Sequence, residues 1–180
     1  MKLQTKRLIL RDFELIDAES LARNINNPII SYMTGNLPYP YTLEKAKKYM
    51  VDDSVESKKD PRLEYRLAIQ FKENPDVIGS IGLHRLDLKN KKATVAYWLG
   101  VDYHRQGIMS EAEEEILRFA FEDLKLHKIV GTALVVNDAS NKLFERFNFR
   151  KVGTYLKDRY KDGVWIVVNQ WELLEGDYKK

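Results

Sequence analysis

The segment Tyr97-Trp98-Leu99-Gly100-Val101-Asp102-Tyr103-His104-Arg105-Gln106-Gly107-Ile108-Met109-Ser110-Glu111-Ala112 constrains the fold more than any other part of the chain. It reads as a β-strand that ends in a short basic turn carrying one glycine and enters a helix at Ser110. Strand, turn and helix in that order suggest a pyrophosphate-binding corner. The start of a helix presents unpaired backbone N–H groups at the positive end of the peptide dipole, so such a corner can hold a phosphate. Gly107 lets the turn bare its amides with no Cβ in the way. Neither G-x-G-x-x-G nor G-x-x-x-x-G-K-[ST] occurs in the chain, so the common nucleotide signatures are absent. Taken alone, the segment fits an ordinary serine-capped connection equally well.

The pattern on either side extends this reading. Leu3 to Leu10 is expected as a first strand. Asp12 to Asn24 follows as a helix striped by Leu15, Ala18, Leu21 and Ala22. Asn26-Asn27-Pro28 breaks that helix, Gly35 to Pro40 is a loop, and Thr42 caps a helix that runs through Met50 and Val51. A meander comes next: Glu64 to Phe71, a turn at Asn74-Pro75-Asp76, Val77 to Leu88, a hairpin turn at Lys89 to Lys92, and Ala93 to Val101. The helix from Ser110 to about Leu124 carries Ala112, Ile116, Phe119 and Ala120 at helical spacing, and its glutamates Glu113 and Glu114 are expected to face solvent. Lys128 to Val136 is a buried strand, Asp138 to Phe147 a helix, and Lys151 to Arg159 and Trp165 to Leu173 form a closing hairpin. The order β-α-α-β-β-β-α-β-α-β-β implies a mixed sheet with helices on both faces.

Composition sets the outer limits. A length of 180 residues suits one domain spanning 1–180, with enough chain for a substantial core. A net charge of +3, with acidic and basic residues interspersed, is too mild to point to nucleic acid. No apolar run approaches the ~18 residues of a membrane span, and the charged N-terminus does not read as a secretory signal. The chain has no cysteine and only three scattered histidines, His84, His104 and His127. Disulfides and thiolate chemistry are therefore excluded, and no metal site is expected. The cytoplasm is the expected location.

Four stretches, read together, resemble the GNAT acetyltransferases, and among them the branch that acetylates ribosomal proteins (the Rim-type enzymes). They are Thr5-Lys6-Arg7-Leu8-Ile9-Leu10-Arg11, Ala96-Tyr97-Trp98-Leu99, His104 to Ala112, and Asn137-Asp138-Ala139-Ser140-Asn141 followed by Phe147-Asn148-Phe149. The resemblance implies a GNAT-like fold and acetyl-CoA as co-substrate. The pantetheine arm would pair with backbone at Leu99, Gly100 and Val101, and the pyrophosphate would lie on the turn of His104, Arg105, Gln106, Gly107, Ile108, Met109 and Ser110. Asn137, Asn141 and Phe144 would lie beside the cofactor. The turn departs from the family pattern, with His104 in place of Gln or Arg and Met109 in place of a small residue.

The resemblance also frames the chemistry. Attack of an amine on a thioester needs a neutral nucleophile and a proton for the departing thiolate. The branch's strand glutamate has Thr94 at its position here, and the tyrosine acid of many GNAT enzymes has Phe144. Ser140 resembles the residue that protonates the thiolate in Rim-type enzymes, and Asn137 one that bonds the pantetheine arm or a water; both also fit plain helix-capping roles. His84 and Glu64 are candidate bases on the meander, each with a structural role as the alternative. The acceptor reads as a protein N-terminus, or alternatively a small amine such as a polyamine, an aminoglycoside or an amino-acid-like metabolite. A non-catalytic acyl-CoA-binding domain is the reading from a different class. The branch's habit of pairing through sheet edges makes a homodimer an open expectation. The aromatic segment Tyr32 to Tyr41 is expected at the acceptor mouth, facing a wall of Tyr155, Arg159 and Tyr160.

Overall fold

A computed structural model describes residues 1–178 of the chain. Its frame is an eight-stranded sheet in the order β1-β2-β3-β4-β5-β6-β8-β7. The strands are β1 (Lys2–Gln4), β2 (Leu8–Asp12), β3 (Tyr65–Phe71), β4 (Asn74–Asp87), β5 (Lys92–Leu99), β6 (Lys128–Leu134), β7 (Arg150–Lys161) and β8 (Val164–Leu174). All neighbours are antiparallel except β5 and β6. The helices are α1 (Ala18–Ile25), α2 (Pro28–Thr34), α3 (Leu43–Glu56), α4 (Ile108–Arg118), α5 (Asp138–Arg146) and the short α6 (Glu175–Tyr178). The mixed sheet and the two helical layers match the expected fold class.

Strand alternation explains the two layers. Ile81, Leu83, Val95 and Leu99 join Ile108, Ala112, Ile116 and Phe144 in one core, which α4 and α5 cover. On the opposite face Ala68, Val77 and Trp98 pack against Leu21, Ile30, Ala46 and Met50 of α1, α2 and α3. Adjacent residues of β5 therefore serve two different cores, which is why that strand carries apolar residues on both faces.

Several boundaries differ from the sequence reading. The first strand is a small hairpin, β1 and β2, because Thr5 turns the chain and receives the Leu8 amide on its hydroxyl. A single-turn 3-10 segment, Leu15–Asp17, precedes α1, so the helix begins at Ala18. The Asn27-Pro28 break is also a start: Asn27 accepts from the Ile29 amide and Pro28 occupies the first turn of α2, a helix the sequence pattern does not predict. Asn74 to Asp76 belongs to β4. The helix after the basic turn begins at Ile108 with Gly107 as its cap residue, two residues before the expected Ser110. It ends in a π-turn, Phe119–Asp123. Among the described residues no helix is long and apolar enough to cross a membrane.

The only parallel pairing in the sheet is short. It joins Lys92 to Lys128, Ala93 to Ile129 and Thr94 to Val130, and stops there. Beyond it, β5 stays paired with β4 through Leu99, and β6 with β8 through Leu134. The two strands therefore part, opening a wedge in the middle of the sheet. Phe144 from α5 is seated at Gly131 on β6, beside Phe149, Tyr97 and Trp171. A Cβ at position 131 would overlap the Phe144 ring. Gly131→Ala should lower unfolding free energy by about 1–3 kcal/mol through overpacking, read as a reduced urea midpoint at unchanged slope.

Candidate active site

The turn at the end of β5 leaves an open, uncapped helix start. Gly107 adopts φ 73°, and Arg105 takes the same left-handed conformation at φ 60°. The N-terminus of α4 has no side-chain cap, so its first-turn amides look outward at the positive end of the helix. A Cβ on Gly107 would meet nothing nearer than the Arg7 guanidinium, 3.7 Å away, so the corner is open. The other expected phosphate ligands divide. Arg105 is exposed beside the amides, whereas the His104 and Gln106 side chains brace the turn. His104 Nε2 donates to the Leu99 carbonyl at 3.0 Å, and Gln106 Nε2 donates to the Asp102 carbonyl at 2.9 Å. Ile108 is buried beneath α4, while Met109 and Ser110 are half-buried.

Four glutamates follow, and only some lie where dipole reasoning puts them. Glu111 accepts from the Arg7 backbone at 2.7 Å and from Arg7 Nε at 2.6 Å, and also from the Thr5 hydroxyl. Arg7 in turn donates to the Gln106 carbonyl at 3.1 Å, so one ion pair stitches the turn to β2. Glu114 is exposed as expected, and Glu115 pairs with Arg118. Glu113 corrects the expectation: it is fully buried, and neither carboxylate oxygen has a hydrogen-bond partner. Ile116 and Leu117 lie three and four residues on, both in the core, so the helical period already placed Glu113 on the inner face. Burial pushes its carboxyl up to about 8. Tyr97 is its counterpart on β5, with a buried hydroxyl that also lacks a partner. Burial first, and the Glu113 charge second, raise the Tyr97 phenol well above its usual range, with Ser140 pulling the other way.

At the start of α5, Asn137 caps the helix by accepting from the Ser140 amide at 3.2 Å. Asn141 is a brace. Its amide nitrogen donates to the Leu134 and Asn137 carbonyls, each at 2.9 Å, and its oxygen accepts from Asn169 at 3.0 Å and Trp171 Nε1 at 3.1 Å. That side chain is fully committed to holding α5 against β6 and β8. Phe144 is 1% exposed and packs within the aromatic core. Gly100 donates its amide to the Ile78 carbonyl at 2.8 Å, anchoring the chain as it leaves β5 through Val101.

The other face of the sheet brings two candidate bases together. His84 lies directly across from Thr94 in the β4–β5 ladder, at the level where β5 and β6 separate. Its Nδ1 is 2.6 Å from Glu64 Oε2. A register shift follows His84, with Arg85 at φ 53°, and it aims the Arg85 amide at the other Glu64 oxygen, 3.0 Å away. A carboxylate in that position fixes the proton on Nδ1 and leaves Nε2 as an acceptor. Behind them Arg66 lies 3.7 Å from Glu64 and 3.8 Å from Asp53. Burial pushes Asp53 up to about 6, against the pull of Arg66. Above this face, α2 and the β7–β8 hairpin are tied together. Arg159 donates to Asn36 at 2.9 Å, and Lys161 donates to the Ser31 hydroxyl at 2.9 Å and the Leu37 carbonyl at 3.0 Å. Tyr32, Tyr39, Tyr155 and Tyr160 are exposed around this bridge, whereas Tyr41 is buried in the α1–α3 core.

A family model described as an acetyltransferase (GNAT) domain matches residues 7–150. The chain belongs to the GNAT acetyltransferases. It is 30% identical over 179 residues to "Uncharacterized N-acetyltransferase p20" of Bacillus licheniformis, covering 98% of this chain and 97% of that one. It is 32% identical over 97 residues to "Ribosomal-protein-serine acetyltransferase" of Escherichia coli (strain K12), covering 51% and 54%. The fold superposes with TM-score 0.86, at 19% identity and 97% and 98% coverage, on a structure titled RimL, ribosomal L7/L12 alpha-N-protein acetyltransferase, in complex with coenzyme A. The outward amides at Gly107 to Ser110 and the strand wedge beside them fit the phosphate and extended arm of such a cofactor.

The buried carboxyl makes stability depend on pH. The folded protein keeps the Glu113 proton up to about 8, while the unfolded chain releases it near 4.5. The folded state therefore binds the extra proton, and stability falls as pH rises between those values. Glu113→Leu removes this penalty. Its advantage over the wild type should grow by up to about 1.4 kcal/mol per pH unit through that window, measured by urea unfolding at pH 5 and pH 8.

Proposed function

We propose that the protein acetylates a primary amine from acetyl-CoA by direct attack, and that a protein N-terminal α-amine is the acceptor. The observation that carries this reading is the Glu64–His84 pair opposite Thr94, where β5 and β6 part. With the Nδ1 proton held by Glu64, His84 Nε2 is oriented to take a proton from the incoming amine, directly or through a water. Bound acetyl-CoA would supply the activated carbonyl and the thiolate leaving group. Beyond Thr94, the β5 amides that face β6 lose their ladder partners and can donate to a developing oxyanion. Gly107 to Ser110 would hold the pyrophosphate, with Arg105 adding a side-chain donor.

The choice of acceptor follows from proton affinity. A lysine ε-amine, with a pKa of about 10.4, costs ~4–5 kcal/mol to present as free base at neutral pH, whereas an α-amine near ~8 costs only about 1 kcal/mol. One imidazole with a single carboxylate behind it suits the easier deprotonation. The fold neighbour whose title names an alpha-N-protein acetyltransferase supports the same choice, as does the ribosomal-protein-serine acetyltransferase relative. The α2 loop and the β7–β8 hairpin, bridged by Arg159 and Asn36, would frame the entry of a peptide end.

In a thiol-release assay, peptides with a free α-amine and blocked lysines should turn over faster than matched peptides with a blocked N-terminus and a free lysine. The reverse order overturns the acceptor assignment. His84→Ala should lower kcat/KM on the order of 10²-fold, the usual worth of a positioned base. Glu64→Gln should lower it less and leave the KM for acetyl-CoA unchanged.

A further inference from the structure

We propose that Phe144 limits the acyl group the site accepts, closing the foot of the wedge between β5 and β6 so that acetyl and propionyl chains fit and longer ones do not. The proposal rests on the acetyl-transfer reading above and deepens it by setting the size of the group transferred. Its basis is where the ring stands. The last β5–β6 pair is Thr94–Val130, and Gly131 is the next residue on β6, at the point where the strands begin to part. The Phe144 ring is seated against Gly131, in the space that a Cβ there would fill. Gly131 shares a face of β6 with Ile129 and Ala133, which pack in the core that α4 and α5 cover. Phe144 therefore plugs the narrow end of the wedge from the helix side.

A stop discriminates only if it cannot give way. Phe144 is 1% exposed, and rings from three other segments hold it. Its centroid lies 4.9 Å from that of Phe149, 5.9 Å from Trp171 on β8 and 6.1 Å from Tyr97 on β5. The helix that carries it is fixed as well, because Asn141, one turn earlier, accepts from Trp171 Nε1 at 3.1 Å. A close-packed interior of this kind resists displacement of a ring by a guest.

The direction of the ligand follows from the corner. Gly107 lies beyond the end of β5, at the open end of the wedge, and a pyrophosphate held there fixes one end of a CoA ester. The acyl group is at the opposite end of that molecule, so an arm running down the wedge brings it to the foot. There the two strands are paired again, and the Phe144 ring covers the helix side. Each methylene added to the acyl chain must displace either a ladder pair or a packed ring.

Binding of CoA esters to the full chain tests this without an acceptor. In calorimetric titrations the wild type should bind CoA, acetyl-CoA and propionyl-CoA with similar affinity. Butyryl-CoA should bind at least about tenfold more weakly than acetyl-CoA, the low end of what one misfitted methylene is worth, and hexanoyl-CoA more weakly still. Phe144→Ala should remove most of that gap, and Phe144→Leu part of it. A wild type that binds butyryl-CoA as tightly as acetyl-CoA overturns the proposal. Variants that weaken every ester alike also overturn it, since that result describes a ring that only packs α5 on the sheet. If Phe144→Ala does not fold, Phe144→Leu and the wild-type series decide the matter. Failure of plain CoA to bind overturns the acetyl-transfer reading, and the proposal with it. With an acceptor peptide present, the ratio of kcat/KM for acetyl-CoA over butyryl-CoA should fall in the order wild type, Phe144→Leu, Phe144→Ala; an unchanged ratio overturns the proposal.

Discussion

The site depends on the early end of one strand pairing. Parallel β5 and β6 share only the pairs from Lys92–Lys128 to Thr94–Val130, and each then follows its other neighbour. Amides and carbonyls that would have satisfied each other across a full ladder are instead directed into a wedge. Everything that bears on chemistry is arranged around that wedge. The turn after β5 delivers the N-terminus of α4 to one rim, and the turn after β6 delivers that of α5 to the same side. Across the sheet, His84 is level with the point of separation. A β5–β6 ladder continued to Leu99 would close the space and leave the two helix ends flanking nothing.

Separated strands cost ladder hydrogen bonds, and the helices offset this by locking each branch in place. On the β6 side, Asn141 spends its entire hydrogen-bonding capacity on Leu134, Asn137, Asn169 and Trp171, while the Phe144 ring sits at Gly131. On the β5 side, His104 is tied back to Leu99, and Glu111 is bound to Arg7 and Thr5 of the opening hairpin. These contacts connect residues far apart in sequence, so the wedge is held by the tertiary fold and not by the local turns. They also show what His104 does where the family places Gln or Arg: its ring supports the turn.

Two carboxylates on opposite faces of the sheet sit in contrasting environments. Glu64 is half-buried and doubly hydrogen-bonded, by His84 and the Arg85 amide, which suits it to orient an imidazole that accepts a proton. Glu113 is sealed in an apolar layer, which favours its neutral form. That burial makes the folded state less stable as pH rises.

Much of this was legible along the chain. Period-two alternation marked the meander, the 3.6 period marked α1, α3, α4 and α5, and the Tyr97 to Ala112 segment marked the strand-turn-helix corner, because those signals are local and set by backbone geometry. Thr94 and Phe144 could be seen to lack the family's acid and base, and His84 and Glu64 could each be named as candidates. The α2 helix, the opening hairpin and the start of α4 at Ile108 were missed or shifted, since a proline start, a threonine turn and a glycine cap compete with the stronger signals beside them. That His84 faces Thr94 with Glu64 behind it and that Asn141 is a brace were decided only by tertiary structure. Strand register and helix seating bring together residues from 10 to 30 positions apart, and no local periodicity encodes which of them will meet.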